Sequence, residues 1–313
     1  MKLVIQIPCF NEEKTLLTTL DALPKSLLGI DEIEVLIIDD GSSDDTIKVA
    51  YDWGVNKVVS LKKNQGLARA FACGINTSLS MKADIIVNLD ADNQYCADDI
   101  DKLIEPILNK KADIVIGTRP IEKIKHFSPV KKMLQKLGSF VMKKVSGADV
   151  DDAPSGFRAF SAYAAKHINI FDNYTYTLET IIQAQRKGLS VVCVPIRVND
   201  ELRPSRLVKN NFDYIRRSIF TMARIFIIYR PFRFFSFVGG FVFLLSAILA
   251  FRFMYFYLTG DGSGHIQSLI LCAILAIVSF LCTLLAIISD LLAINRKLLE
   301  DVQYMIREIK SSK

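Results

Sequence analysis

Several arrangements that carry chemistry in other proteins are missing from these 313 residues. The six cysteines (Cys9, Cys73, Cys96, Cys193, Cys272, Cys282) lie far apart with no C-x-x-C pair. That argues against a zinc site and a disulfide framework, and leaves small buried hydrophobes of a reducing compartment. The three histidines, His126, His167 and His265, are scattered, which argues against a histidine metal centre. No G-x-G-x-x-G follows the first apolar run. Pro8-Cys9-Phe10-Asn11-Glu12 stands there instead, which disfavours a nicotinamide or flavin enzyme, and the P-loop pattern is missing too. Net charge is only +6, so no overall field marks a nucleic-acid binder. The apolar start, Met1 to Ile5, is too short for a secretion signal and is soon interrupted by Pro8 and Asn11-Glu12-Glu13. It reads as a first strand.

What is present is apolar bulk and local charge. Hydrophobic residues make up 51% of the chain and mean hydropathy is +0.29. Arg119 to Lys144 holds eight Lys/Arg against one Glu, and Arg203 to Arg233 holds eight against one Asp. Such zones suit phosphates, an anionic membrane surface or solvated helix faces. The first ~200 residues alternate Val/Ile-rich runs with amphipathic segments, the pattern of an α/β domain with a mostly parallel sheet. Expected strands are 3–7, 34–38, 57–60, 85–89, 114–116, 157–160 and 191–198. Expected helices are 12–23, 45–53, 67–80, 98–108 and 178–187, with Asp44 or Asp45 capping the second and Gly188 stopping the last.

Composition then shifts. Phe234 to Phe251 is an uncharged apolar run of 18 residues and Ile266 to Ser289 one of 24. About 20 residues cross a membrane, so a transmembrane helical hairpin is expected. The connecting loop has no Lys or Arg, whereas Arg224, Arg230, Arg233, Arg296 and Lys297 flank it. The positive-inside rule then puts the α/β domain and both termini in the cytoplasm, as an integral protein of the cytoplasmic membrane. The expected division is 1–210 for the α/β domain, 211–232 for a basic amphipathic juxtamembrane helix, 233–294 for two membrane helices and 295–313 for a cytoplasmic helix. Lys131 to Lys144 could lie on the membrane as an amphipathic helix or be an ordinary surface helix. The tail places Leu298, Val302, Met305, Ile306 and Ile309 on one face, for the membrane or another subunit. A homodimer or tetramer is compatible with this.

Three constellations point to chemistry. Asp39-Asp40-Gly41-Ser42 closes a predicted strand, where ligands of open α/β sheets bind, and an acid there can accept from a ribose hydroxyl or a base N–H. The same residues make good turn chemistry. Asp90-Ala91-Asp92, with Gln94 beyond, closes another strand. Two carboxylates one residue apart suit Mg²⁺ or Mn²⁺, which need few protein ligands when a diphosphate shares the ion. Arg119 follows a strand, and Arg203, Arg206 and Lys209 precede the membrane. Guanidinium forks match phosphate oxygens, and anionic lipid is the other reading for Arg206 and Lys209.

Asn11-Glu12-Glu13, Asp39-Asp40-Gly41-Ser42, Asp90-Ala91-Asp92-x-Gln94 and Ser155-Gly156-Phe157-Arg158 occur in the order of the family 2 glycosyltransferases of the GT-A fold. Within them the chain resembles the polyprenyl-phosphate glycosyltransferases, over about residues 1–210. The resemblance implies a GT-A catalytic domain, Rossmann-like, followed by the hairpin. It implies nucleotide contacts from Pro8, Phe10, Glu12 and Asp40, with Asp39 and Ala91 counted among the donor-binding residues. Asp90, Asp92 and Gln94 would hold the metal and sugar-nucleotide. Arg119, Arg203 and Arg206 would bind phosphates of donor or acceptor, with Lys209 nearby. Asp152 occupies an acidic position that family members often place ahead of Ser-Gly-Phe-Arg, and reads as a catalytic group or a structural cap. Leu202-Arg203-Pro204-Ser205-Arg206 departs from the Gly that many members place before this pair.

The expected reaction is inverting transfer of a hexose-type sugar from a UDP- or GDP-sugar to a polyprenyl phosphate at the cytoplasmic leaflet. Two alternatives remain. A processive polysaccharide synthase usually carries Gln-x-x-Arg-Trp, whereas here Gln183-Ala184-Gln185-Arg186 is followed by Lys187 and the only tryptophan is Trp53. A non-catalytic membrane scaffold would bind nucleotide without turnover.

Overall fold

The structure, a computed structural model, describes residues 1–120, 150–170, 176–199, 231–260 and 266–312, with isolated positions between them. The expected helices at 131–144 and 211–232, and Arg203, Arg206 and Lys209, lie outside the described residues. Seven strands form one sheet in the order β3-β2-β1-β4-β6-β5-β7. They are β1 (Lys2–Cys9), β2 (Glu32–Asp39), β3 (Lys57–Ser60), β4 (Ile85–Asn88), β5 (Ile114–Thr118), β6 (Arg158–Ser161) and β7 (Val191–Pro195). Every pairing is parallel except those of β6, which runs antiparallel to both β4 and β5.

The central strands are nearly continuous apolar runs because both sheet faces are covered. Alternation sorts β1 by face. Leu3, Ile5 and Ile7 join a core with Leu16 and Leu20 of α1 (Leu16–Asp21) and Ile100, Leu103 and Ile104 of α4 (Ile100–Leu108). The opposite face meets α3 (Leu67–Ser80), whose Phe71 stacks on Tyr176 at 3.8 Å and meets Phe160 edge-on at 5.7 Å. The helix expected over 12–23 is shorter. The Glu12 N–H bonds Thr46 Oγ1, and Thr15 Oγ1 bonds the Glu12 carboxylate, so 12–15 form a turn tied to α2 (Thr46–Trp53). Asp45 stands at the start of α2 without a side-chain capping bond. Asp44 does that work, accepting from the Thr46 N–H at 3.1 Å. Two further helices follow, α5 (Ala162–His167) and α6 (Thr177–Arg186), the latter stopped before left-handed Gly188 at φ 67°.

The chain divides into two compact units, Met1–Ile219 with Glu300–Lys313, and Phe220–Leu299. The second contains α7 (Pro231–Leu258) and most of α8 (Ile266–Ser312), both long and apolar enough to cross a membrane. They pack through small groups: Ser246 Oγ donates to the Cys272 carbonyl at 2.9 Å, and Ser279 Oγ to the Gly239 carbonyl at 2.9 Å. Arg252 lies over the Phe256 ring at 5.9 Å. The expected second span and tail helix are one unbroken helix.

Candidate active site

Because β1, β2 and β4 are mutually parallel, their C-terminal ends share one edge, with Cys9 level with Asp39 and Gln6 with Asn88. Strand β5 runs antiparallel to β6, as β4 does, so Thr118 and Arg119 emerge at that edge too. The segment leading into β6, Asp152 to Phe157, starts there. Topology thus gathers Asp39-Asp40, Asp90-Ala91-Asp92, Arg119 and the Ser-Gly-Phe-Arg segment at the place where open α/β sheets bind ligands.

Asp90 is half-buried, and its pKa is pushed up to about 7. Burial is the main cause. The Asp92 charge adds to it, Arg119 opposes it, Glu12 adds and Arg158 opposes. Thr19 Oγ1 of α1 pins the Ala91 carbonyl at 3.0 Å, and the Gln94 N–H bonds Asp92 Oδ1 at 3.3 Å. The acids therefore project from a tethered backbone. Two adjacent carboxylates, with the Asp92 charge raising the proton affinity of Asp90, form a hard oxygen donor set that fits a divalent cation. No group of three or more His, Cys, Asp and Glu that could hold a metal occurs among the described residues. The pair is the candidate, with Gln94 beside it.

Gly156 faces that pair. A Cβ on it would lie 2.9 Å from Asp90 Oδ2 and 3.0 Å from the Tyr176 hydroxyl. Its N–H donates to Tyr95 Oη at 3.1 Å, and its carbonyl accepts from Asn88 Nδ2 at 2.9 Å. Arg158 is fully buried and holds the approach to β6 from inside. Its guanidinium donates to the carbonyls of Ser155 (2.8 Å), Ala153 (2.6 Å) and Thr177 (2.7 Å) and to Thr180 Oγ1 (2.6 Å). Burial lowers its pKa.

Asp152 is fully buried and takes Arg119 in a two-pronged grip, Nε to Oδ2 at 2.7 Å and Nη2 to Oδ1 at 2.9 Å. The Arg119 N–H reaches the same carboxylate at 3.2 Å. This gives Asp152 the job of counter-ion and orienter of Arg119, and no helix-capping bond of it is seen among the described residues. Burial pulls the Arg119 pKa down, but Tyr95, the Asp152 grip and the Asp90 charge more than offset it and hold the pKa above its ordinary value.

The first acidic pair is spent largely on backbone. Asp39 accepts from the Ser42 N–H (3.0 Å) and Ser60 Oγ (2.8 Å). Asp40 accepts from the Gln65 and Gly66 N–H groups, each at 2.8 Å. Gly41, at φ 75°, lets that loop approach: a Cβ there would meet the Lys63 carbonyl carbon at 2.7 Å. Pro8 is buried at the end of β1, Glu12 is buried in the turn before α1, and Phe10 is 40% exposed at the same edge.

Sequence reasoning missed Asn88, Tyr95, Tyr176 and the Asp99–Arg197 pair. Asn88 carried a signal, as a polar residue ending an otherwise apolar strand. Tyr95 and Tyr176 carried none. Asp99 is fully buried and is bonded by Arg197 Nη2 at 2.8 Å and the Arg197 N–H at 2.6 Å. Two residues on, the Asn199 N–H bonds the Gln94 carbonyl at 2.8 Å.

This arrangement is that of a glycosyltransferase. The chain belongs to glycosyl transferase family 2, whose family model matches residues 4–168. Among its relatives is the UDP-N-acetylglucosamine–dolichyl-phosphate N-acetylglucosaminyltransferase of Methanococcus voltae, 33% identical over 213 residues, 61% of this chain and 83% of the relative. Another is the undecaprenyl-phosphate mannosyltransferase of Micrococcus luteus, 29% identical, covering 66% and 88%. In fold, the chain is similar to glucosyl-3-phosphoglycerate synthase of Mycobacterium tuberculosis, crystallised with Mn²⁺, UDP and glucosyl-3-phosphoglycerate. That likeness has a TM-score of 0.56 at 18% identity and covers 72% of this chain and 78% of that one. The GT-A expectation is met.

Proposed function

We propose that this chain transfers a sugar from a nucleotide-sugar to a polyprenyl phosphate at a membrane, with inversion at C1. The observation that carries the reading is the Asp90–Asp92 pair at the strand edge, enclosed by Gly156 and Arg119. The names of the relatives supply the acceptor class. Two apolar helices of spanning length support membrane insertion, and the basic flanks favour cytoplasmic ends.

Asp90 and Asp92 would hold Mg²⁺ or Mn²⁺, with Gln94 beside them. Bound there, the cation would offset charge on the departing diphosphate. Arg119, oriented by Asp152, adds fixed positive charge on the same side. Arg203, Arg206 and Lys209 are assigned to phosphates of donor or acceptor. Pro8, Phe10, Glu12, Asp39, Asp40 and Ala91 are assigned to the nucleotide side. Asp40 would act there through the 65–66 backbone that it holds. An acceptor phosphate oxygen forms the new bond to C1 as the bond from C1 to the diphosphate oxygen breaks, and the electron pair leaves with the nucleoside diphosphate. The acceptor needs no strong general base, since a phosphate monoester with a second pKa of about 6 is already largely ionised at neutral pH.

The test is a panel of labelled UDP- and GDP-sugars with a polyprenyl phosphate in vesicles. The expected product is an organic-extractable sugar phospholipid of inverted anomeric configuration, lost on chelation. Turnover only with water-soluble acceptors, or a retained configuration, contradicts the reading.

A further inference from the structure

The loop that carries Asp92 and Gln94 belongs to no regular element. Strand β4 ends at Asn88, and the next helical turn begins at Ala97. Backbone outside ladders and helices must be held by other groups. From α1, Thr19 Oγ1 holds the Ala91 carbonyl at 3.0 Å. From beyond β7, Asn199 holds the rest. Its N–H donates to the Gln94 carbonyl at 2.8 Å. Its Nδ2 donates to the carbonyls of Asn93 at 3.0 Å and Tyr95 at 3.3 Å, and lies 3.4 Å from Asn93 Oδ1. One residue thus takes three successive carbonyls, the first of them on Asn93 in the left-handed region at φ 55°.

Asn199 stands on an anchored segment. Two residues earlier, the Arg197 N–H donates to Oδ2 of buried Asp99 at 2.6 Å, and Arg197 Nε and Nη2 donate to Oδ1 at 3.0 and 2.8 Å. Lys102 Nζ donates to the same Oδ1 at 2.7 Å. Between Arg197 and Asn199, Val198 bridges antiparallel to Tyr95. Tyr95 in turn accepts from the Gly156 N–H at 3.1 Å and stacks on Phe157 at 5.2 Å. Joining the two segments is therefore already the work of Asp99, Arg197 and the Val198 bridge. The Asn199 side chain adds something narrower: among the described residues its bonds go to Asn93 and Tyr95 alone, on either side of Gln94.

We infer that Asn199 is a positioning residue for the metal site: by holding the carbonyls of Asn93, Gln94 and Tyr95 it sets where Asp92 and Gln94 present their oxygens to the cation. The inference rests on the reading of Asp90, Asp92 and Gln94 as the groups that hold the ion. Side chains that orient ligands from behind a metal are worth about 10- to 100-fold in affinity. Asparagine suits the task because its amide brings two donors to a row of acceptors, whereas an aspartate of the same shape brings acceptors only.

Mn²⁺ binding by the full chain in mild detergent, read from the electron paramagnetic resonance signal of the free ion, tests this without turnover. The unmodified chain is expected to bind the ion and Asp92→Asn to lose it. Asn199→Ala is expected to raise the Mn²⁺ dissociation constant about tenfold. Asn56→Ala is the structural control. It removes a 2.8 Å bond from the Val35 N–H at the start of β3, the other edge of the sheet, and is expected to lower the melting temperature without moving Mn²⁺ affinity. Asn199→Asp separates geometry from charge, and decides the matter by itself where Asn199→Ala does not fold. An added anion near a cation tightens binding by attraction, whereas loss of the donor is expected to weaken it. Unchanged affinity in Asn199→Ala, or tighter binding in Asn199→Asp, with the ion lost in Asp92→Asn, overturns the positioning role alone. Mn²⁺ held equally by Asp92→Asn and the unmodified chain overturns the metal reading, and the positioning role with it.

Discussion

Asp90 keeps its place because Gly156 has no side chain: a Cβ there would come within 2.9 Å of Asp90 Oδ2. Gly156→Ala should push the carboxylate aside while the fold survives. A displacement of about 1 Å at a reacting site costs on the order of 10²-fold in rate. The expected result is a loss of that size in kcat, with a far-ultraviolet circular dichroism spectrum like that of the unmodified chain.

Asp152, fully buried, and Arg119, 11% exposed, form a two-pronged ion pair. Removing one partner strands the other charge, at a cost of about 3–5 kcal/mol. Asp152→Asn should therefore unfold at lower denaturant than the unmodified chain. The double change Asp152→Leu with Arg119→Met should recover most of that stability but not turnover. Recovery of both would mean that the guanidinium has no part in the reaction.

The raised pKa of Asp90 gives a pH signature. Folded and without metal, Asp90 holds its proton up to about pH 7, whereas an unfolded aspartate releases it near about 4. Between these values the folded state binds the extra proton, so stability falls as pH rises through that window. Asp90→Asn should raise the melting temperature of metal-free protein at pH 8 and leave it unchanged near pH 4. Metal affinity of the unmodified chain should fall as pH drops below 7, because the cation must displace that proton.

Asp40 holds two backbone N–H groups of the loop that opens α3. Asp40→Ala leaves both without that acceptor, at roughly 1–3 kcal/mol each where they stay buried. Thermal melts without ligand should show the loss. A melt unchanged without ligand would place Asp40 wholly in donor binding.

The strands were legible because buried parallel strands are written as short Val/Ile runs, and all seven expected ones are present, most with shifted ends. Segment 191–198 reads as one strand, but β7 ends at Pro195 and Val198 bridges back to Tyr95. The cause is the Arg197–Asp99 grip, which joins residues 98 positions apart and leaves no local pattern. The acids at the strand ends were legible from their position. Their employment was not. Nothing in Asp39-Asp40 distinguishes a nucleotide contact from a backbone clasp, and the tie between Arg119 and Asp152 spans 33 positions. The span and tail read as separate helices because charge at Asp290 and Arg296 interrupts the apolar run, yet none of those residues breaks a helix.

The most direct test of the central claim is turnover of Asp92→Asn with saturating Mg²⁺ or Mn²⁺, nucleotide-sugar and polyprenyl phosphate in vesicles. The account predicts that glycolipid formation falls by at least 10²-fold while the chain stays folded and in the membrane. Full metal-supported turnover by Asp92→Asn would contradict it.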